Sequence, residues 1–167
     1  LISKIKGVGS STKPGDRYYS PADCPPVVLE NRLYATDRAY ILGEWNSTTG
    51  ELFQSWEKIS AISLSQDGKS LLLRKTTKEL EKMSLTGNVM WSTPEVCDSI
   101  PTPAVEFNGK VYVCSAGGKL SSLDSATGKI VWQYQVTPGL RVYGEIAVDT
   151  TGIYVADMDG KITALVE

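Results

Sequence analysis

The sequence predicts an all-β fold built from four successive antiparallel sheets, and three observations carry that prediction. A Thr-Gly turn recurs as Thr49-Gly50, Thr86-Gly87 and Thr127-Gly128, 37 and 41 residues apart, a period suited to one small sheet per repeat. A second set of reversals keeps the same beat at Asn31-Arg32, Asp67-Gly68, Asn108-Gly109 and Thr151-Gly152. Each comes before a strand-like run: "LYAT", "SLLLR", "VYVCS" and "IYVAD". Asn-Gly and Asp-Gly supply the positive φ that tight hairpins need. Finally, Ile130, Trp132, Tyr134 and Val136 alternate with Val131, Gln133 and Gln135, the period of two that places one face of a strand inward.

Each repeat resolves into a meander of four strands, a to d. The first runs "PPVVLE", "RLYAT", "AYILGEW", "ELFQSWEKI", and the second "SAISLS", "KSLLLR", "KELEKMSL", "NVMWST". The third has strand a at 103–107, b at 110–115, c at 119–124 and d at 129–136. The fourth supplies "EIAVD", "GIYVAD" and "KITALV" without a strand d. Residues 76–85, "TTKELEKMSL", carry helix-like composition, but their place in the repeat assigns them to strand c. The units therefore span 20–58, 59–96, 97–137 and 138–167, within a single domain preceded by an N-terminal segment, 1–19.

Sheets of this size cannot each bury two faces alone, and stacking them face to face around an axis yields a β-propeller. About four blades are expected, either as a closed four-bladed ring or as half of an eight-bladed one. Residues 1–8, "LISKIKGV", are left over at one end while the fourth unit lacks an outer strand. Pairing the two would close the sheet and protect an exposed edge. The alternative is a half-ring completed by a second copy, because bare blade faces are large apolar patches that monomers avoid.

Composition narrows the chemistry. The chain has 167 residues, 17 Lys plus Arg against 19 Asp plus Glu, and a formal charge of −2, with no basic face for nucleic acid or membrane lipid. Histidine is absent, which removes His-based triads and His-zinc sites. Cys24, Cys97 and Cys114 show no zinc-like spacing and read as buried or half-buried thiols with at most one disulfide. No stretch approaches the roughly 18 apolar residues of a membrane helix. The chain opens on Leu1, and "LISKIKGVGS" is too short and polar for a signal peptide core, so something upstream is expected to have been removed.

"SLDSATGKIVW", Ser122 to Trp132, resembles the tryptophan-docking motif of the quinoprotein, or PQQ-like, β-propellers, A-x-D-x-x-T-G-K-x-x-W. Ser122 stands for the Ala, while Asp124, Thr127, Gly128, Lys129 and Trp132 match in place. The second unit keeps Thr86, Gly87 and Trp91 but has Met83 at the Asp position. The first keeps Thr49 and Gly50, has Asn46 there, and brings Trp56 two residues late. The resemblance implies a structural motif: a Trp at the head of strand d wedges between blades, and Thr and Asp satisfy turn amides. Trp45, near the end of strand c in the irregular first unit, is a candidate exposed aromatic anchor.

Three functional readings follow. The resemblance implies, first, a non-catalytic protein-binding propeller similar to outer-membrane assembly scaffolds, in an extracytoplasmic compartment, with no cofactor and an unidentified protein partner. Loops on a rigid scaffold are where binding residues sit. The strand d to a loops and b to c turns share one end of the ring, which would carry Asp16, Arg17, Tyr18, Tyr19, Asp37, Arg38, Arg74, Lys75, Asp98, Arg141, Tyr143, Glu145, Asp157 and Asp159. Tyr and Arg are enriched at interaction hot spots, and Arg141, Tyr143 and Glu145 of "GLRVYGE" form the strongest patch. The second reading is the dimeric half-ring. The third, a degenerate fragment of a quinone- and Ca²⁺-dependent dehydrogenase, finds no calcium constellation: "DMDG" at 157–160 lacks the further acidic ligands of a calcium loop and falls at a b to c turn.

Overall fold

In the computed structural model the described residues are 5, 7, 8, 24–37, 39–100, 102–137 and 146–166. They form four antiparallel sheets, each with its strands in sequence order. The first contains β1 (Val27–Leu29), β2 (Arg32–Thr36), β3 (Leu42–Asn46) and β4 (Leu52–Trp56). The second contains β5 (Ile59–Leu64), β6 (Ser70–Lys75), β7 (Leu80–Ser84) and β8 (Val89–Thr93). The third contains β9 (Val105–Phe107), β10 (Lys110–Cys114), β11 (Lys119–Asp124) and β12 (Ile130–Gln135). The fourth contains β13 (Ala147–Val148), β14 (Ile153–Ala156) and β15 (Ile162–Leu165). The segment of helix-like composition lies partly in β7, where alternation decides: Leu80 and Lys82 are buried toward one neighbouring sheet and Met83 toward the other.

Tight reversals set the strand registers. Phe107 pairs with Lys110 across Asn108 (φ 47°) and Gly109 (φ 75°), a two-residue turn with both centres in the left-handed region, whose twist matches that of the flanking strands. In the first sheet the reversal is Glu30-Asn31, with Glu30 at φ 52° and Leu29 paired with Arg32. That shifts the expected Asn31-Arg32 turn by one residue, because Arg32 is needed in the ladder opposite Asn46.

Strands c and d share a β-bulge in all three four-stranded sheets, just before the Thr-Gly turn: between Glu44 and Trp45, Lys82 and Met83, and Ser122 and Leu123. A bulge leaves one extra residue on one strand and bends it. Here Phe53, Met90 and Val131 are the extra residues, and all three are exposed.

Three apolar clusters join the sheets in a row. Tyr34 and Leu42 of the first pack with Ile62, Leu71, Leu73 and Met83 of the second. Leu72, Leu80 and Trp91 meet Val111, Val113 and Leu123 of the third. Tyr112, Cys114 and Leu120 meet Ile153 and Val155 of the fourth. A fully buried aliphatic side chain contributes about 1.5–3 kcal/mol, so β6 and β10, buried on both faces, anchor the row. Among the described residues no cluster joins the fourth sheet to the first.

Candidate functional site

The Thr-Gly turns are built by their first residue. Asp124 Oδ1 accepts from Thr127 N at 2.8 Å and Thr127 Oγ1 at 2.6 Å, and this side-chain bond holds the carboxyl below its ordinary range. Asn46 Oδ1 does the same work in the first sheet, accepting from Thr48 N and Thr49 N at 2.9 Å. The second turn is one residue shorter, and Ser84 takes the place of the Asp, its Oγ accepting from Asn88 N. Met83, which counting back from Thr86 puts at the Asp position, is buried in the core.

Gly87 and Gly128 each seat a side chain from the sheet before it. Trp91 donates through Nε1 to Ser125 O at 2.9 Å, and a Cβ on Gly128 would lie 2.6 Å from the Trp91 ring. Thr93 Oγ1 donates to Gly128 O at 2.6 Å beside it. Trp56 lies 3.5 Å from the corresponding point on Gly87. Its two-residue displacement is harmless because strand side chains alternate with period two: Trp56 stands opposite Leu42, as Trp91 stands opposite Lys82, and reaches the same kind of seat. Trp132 stands opposite Ser122 and packs tilted on Tyr112, with ring centroids 6.3 Å apart. Lys129 follows the third turn and donates through its backbone to Asp124's partner, Thr127 Oγ1.

Buried charge sits between sheets. The Lys82 ammonium, from the second sheet, is 3.0 Å from Glu106 of the third, donates to Ser125 Oγ at 2.7 Å, and both side chains of the pair are under a tenth exposed. Ser125 Oγ in turn donates to Glu106 at 2.5 Å. Glu44 is buried against Arg32 and Gln54.

Arg74 corrects an expectation. As a residue at the end of strand b it was placed among the partner-facing loops, yet its side chain is fully buried. The guanidinium donates to Asp98 O at 2.8 Å, Asp98 Oδ1 at 3.2 Å, Thr102 O at 2.6 Å and Cys114 O at 2.6 Å. It ties the loop between the second and third sheets to β10, five donors in a fixed fork being suited to such a hub. Desolvation pulls its pKa down, opposed by Cys97 and Asp98. Trp45 is likewise no exposed anchor: it is 4% exposed, folded over Gly43, where a Cβ would fall 2.1 Å from its ring. No sequence signal distinguished these two inward side chains from their exposed neighbours. Asp16, Arg17, Tyr18, Tyr19, Arg38, Arg141, Tyr143 and Glu145 lie outside the described residues.

The three cysteines are buried thiols, none of them in a disulfide. Burial pushes the Cys97 and Cys114 thiols up to about 11, so neither is a nucleophile near neutral pH. At 157–160 the Asp157 carboxylate is consumed by the turn, Oδ1 accepting from Asp159 N and Lys161 N at 3.0 Å and Oδ2 from Thr137 Oγ1. Among the described residues no group of three or more acidic, Cys or His side chains could hold a metal ion. The residues described thus do not fit the calcium of quinone-dependent dehydrogenases.

Sheets in sequence order, the first latched to the second by Trp56 and the second to the third by Trp91, define a repeat-built β-propeller protein. The chain belongs to the family described as outer membrane protein assembly factor BamB, whose model matches residues 45–167. It is 29% identical over 145 residues to the outer membrane protein assembly factor BamB of Nitrosomonas eutropha, covering 84% of this chain and 35% of that protein. It is 30% identical over 125 residues to the dehydrogenase subunit of the quinone alcohol dehydrogenase of Gluconobacter oxydans, covering 64% of this chain and 16% of that protein. The fold matches the crystal structure of BamB from Moraxella catarrhalis with TM-score 0.66 and 18% identity, over 81% of this chain and 42% of that one. It also matches two computationally designed proteins, Ika4 and Ika8, each with TM-score 0.66 and 12% identity; the match covers 88% of the Ika4 chain and 44% of the Ika8 chain. The chain thus spans about a third or less of the curated relatives it matches. No helix among the described residues is long and apolar enough to cross a membrane.

Proposed function

We propose that this chain is a non-catalytic, protein-binding propeller segment acting in an extracytoplasmic compartment. The observation that carries it is the family match over residues 45–167 to an outer membrane protein assembly factor. The site chemistry agrees with that role. The buried charges Arg74, Lys82, Glu44 and Glu106 are all engaged in holding strands and sheets together, and the conspicuous motif residues Trp91, Gly128, Asp124 and Thr127 serve the latch and its turn. Rigid sheets then present end loops as the recognition surface, with Arg141, Tyr143, Glu145, Tyr18, Tyr19 and Arg38 as its contact residues.

The test places a photo-crosslinking side chain at Tyr143 or Tyr18, and as control at Asn108 in an opposite-end turn. A discrete adduct is expected from the first two positions and not from the third. Equal labelling from all three would overturn the assignment of that end. In parallel, the chain is mixed with pyrroloquinoline quinone and Ca²⁺, desalted, and assayed for dye-linked alcohol oxidation. No retained quinone and no turnover are expected; one equivalent retained would favour the dehydrogenase relatives instead.

A further inference from the structure

We propose that Asn46 is an acceptor for N-linked glycosylation, its side-chain nitrogen taking an oligosaccharide from a lipid pyrophosphate donor outside the cytoplasm. The compartment rests on the functional reading above; the acceptor is read from the turn itself.

Asn46-Ser47-Thr48 is an Asn-x-Thr triad, the acceptor pattern for this modification. Neither Asn31, Asn88 nor Asn108 has Ser or Thr two residues on. The triad opens the Thr-Gly turn of the first sheet. With the turn glycines aligned, Asn46, Ser47, Thr48 and Thr49 stand where the third repeat has Asp124, Ser125, Ala126 and Thr127. The two turns differ at two of these four positions, Asn for Asp and Thr for Ala, and the triad needs both differences.

The turn needs neither. Asp124 Oδ1 and Asn46 Oδ1 each accept from the backbone N of the residue three on, at 2.8 and 2.9 Å, so either side chain builds the reversal. The Thr48 hydroxyl makes no hydrogen bond among the described residues, and its counterpart in the third turn is the methyl group of Ala126.

The amide is also presented in the sense that the chemistry requires. The Asn46 backbone is fixed on both sides, its N donating to Glu51 O at 2.8 Å and its O accepting from Gly50 N at 2.9 Å. Thr48 N and Thr49 N both donate to the side-chain oxygen, which assigns the other amide atom as Nδ2. Nδ2 makes no hydrogen bond among the described residues, whose buried and unpartnered side-chain atoms belong to Tyr34, Glu79, Ser122 and Thr163. It is therefore open to solvent, beside an exposed Thr48.

In the transfer, Nδ2 bonds to the anomeric carbon of the first sugar as that carbon's bond to the pyrophosphate oxygen breaks. The lipid pyrophosphate leaves with the electron pair, and the proton lost from Nδ2 passes to a base of the transferase. Oδ1 keeps both of its backbone donors throughout, so the turn survives the modification. The glycan would stand at the end of the sheets that carries the c to d turns, leaving the opposite, partner-facing end clear.

The protein is purified from the extracytoplasmic fraction of the cells that make it, and the tryptic peptide 39–58 is weighed. A mass raised by whole sugar residues on Asn46 is expected. The increment should disappear in Asn46→Asp and in Thr48→Ala, which copy the third turn and should leave the urea midpoint unchanged, and it should persist in Thr48→Ser. An unmodified peptide from that fraction overturns the acceptor and leaves the compartment standing, as does a sugar mass that survives Thr48→Ala. Protein recovered only with the cytoplasm overturns the compartment, and the acceptor with it.

Discussion

At the scale of single residues, Gly128 carries two constraints at once. Its φ of 72° disfavours any Cβ, and the Trp91 ring occupies the space a Cβ would need. Gly109 has a similar φ of 75° with open space around it. Gly128→Ala is therefore expected to cost about 1–3 kcal/mol from the backbone alone plus the displaced Trp, and Gly109→Ala only the backbone part; urea midpoints of the two variants should differ in that order. Arg74→Met removes the donors that satisfy three carbonyls and a carboxylate and is expected to cost about 3 kcal/mol or more, read as a lowered midpoint. The thiols give an alkaline signature. Cys97 and Cys114 have folded pKa values raised from 9.0 to about 11. The stability this contributes is complete below the unfolded value and is lost as pH rises through the folded one. Stability should fall between pH about 9 and 11, and a Cys97→Ala/Cys114→Ala chain should show a shallower fall. Residues of this kind were unevenly legible. The Thr-Gly-x-x-x-Trp spacing declared itself because it recurs unchanged in the second and third repeats, whereas Arg74 turns inward onto carbonyls of Asp98, Thr102 and Cys114, 24 to 40 residues on. Ser84 was hidden by a one-residue deletion that counting from Thr86 could not see.

At the scale of elements, strand order and nearly all strand positions were readable, because alternation and hairpin turns are short-range signals. Polar contacts between sheets were not, since nothing in the local pattern around Lys82 points to Glu106, 24 residues on. That pair supports a double-substitution test. Lys82→Met leaves the Glu106 carboxylate buried without its cation and is expected to destabilise by about 3–5 kcal/mol, while Lys82→Met with Glu106→Leu should recover most of the loss. Equal costs for the single and double variants in chemical denaturation would show that the ammonium's other contact, to Ser125, dominates. The recurrent bulge between strands c and d likewise had no local signature; past it Leu52, Val89 and Ile130 are exposed, although strict alternation would put them on the same face as Gln54, Trp91 and Trp132.

At the scale of the whole molecule, the apolar clusters among the described residues join neighbouring sheets in a row, so protection should follow position. β6 and β10 are packed on both sides, while the described part of the fourth sheet is packed on one. Amides of Ile153–Ala156 and Ile162–Leu165 are expected to exchange with deuterium well before those of Ser70–Lys75 and Lys110–Cys114; uniform protection would mean that the fourth sheet is covered in solution. The architecture also bears on how such a chain can grow. The second repeat carries both a plug, Trp91 on its last strand, and a socket, the Gly87 turn that receives Trp56 of the repeat before it. A tandem duplication of one such unit would insert a matched plug and socket without retuning either flank. A duplication that broke between the turn and the following aromatic would strand one from the other, so viable copies are constrained in where they are cut as well as in how long they are.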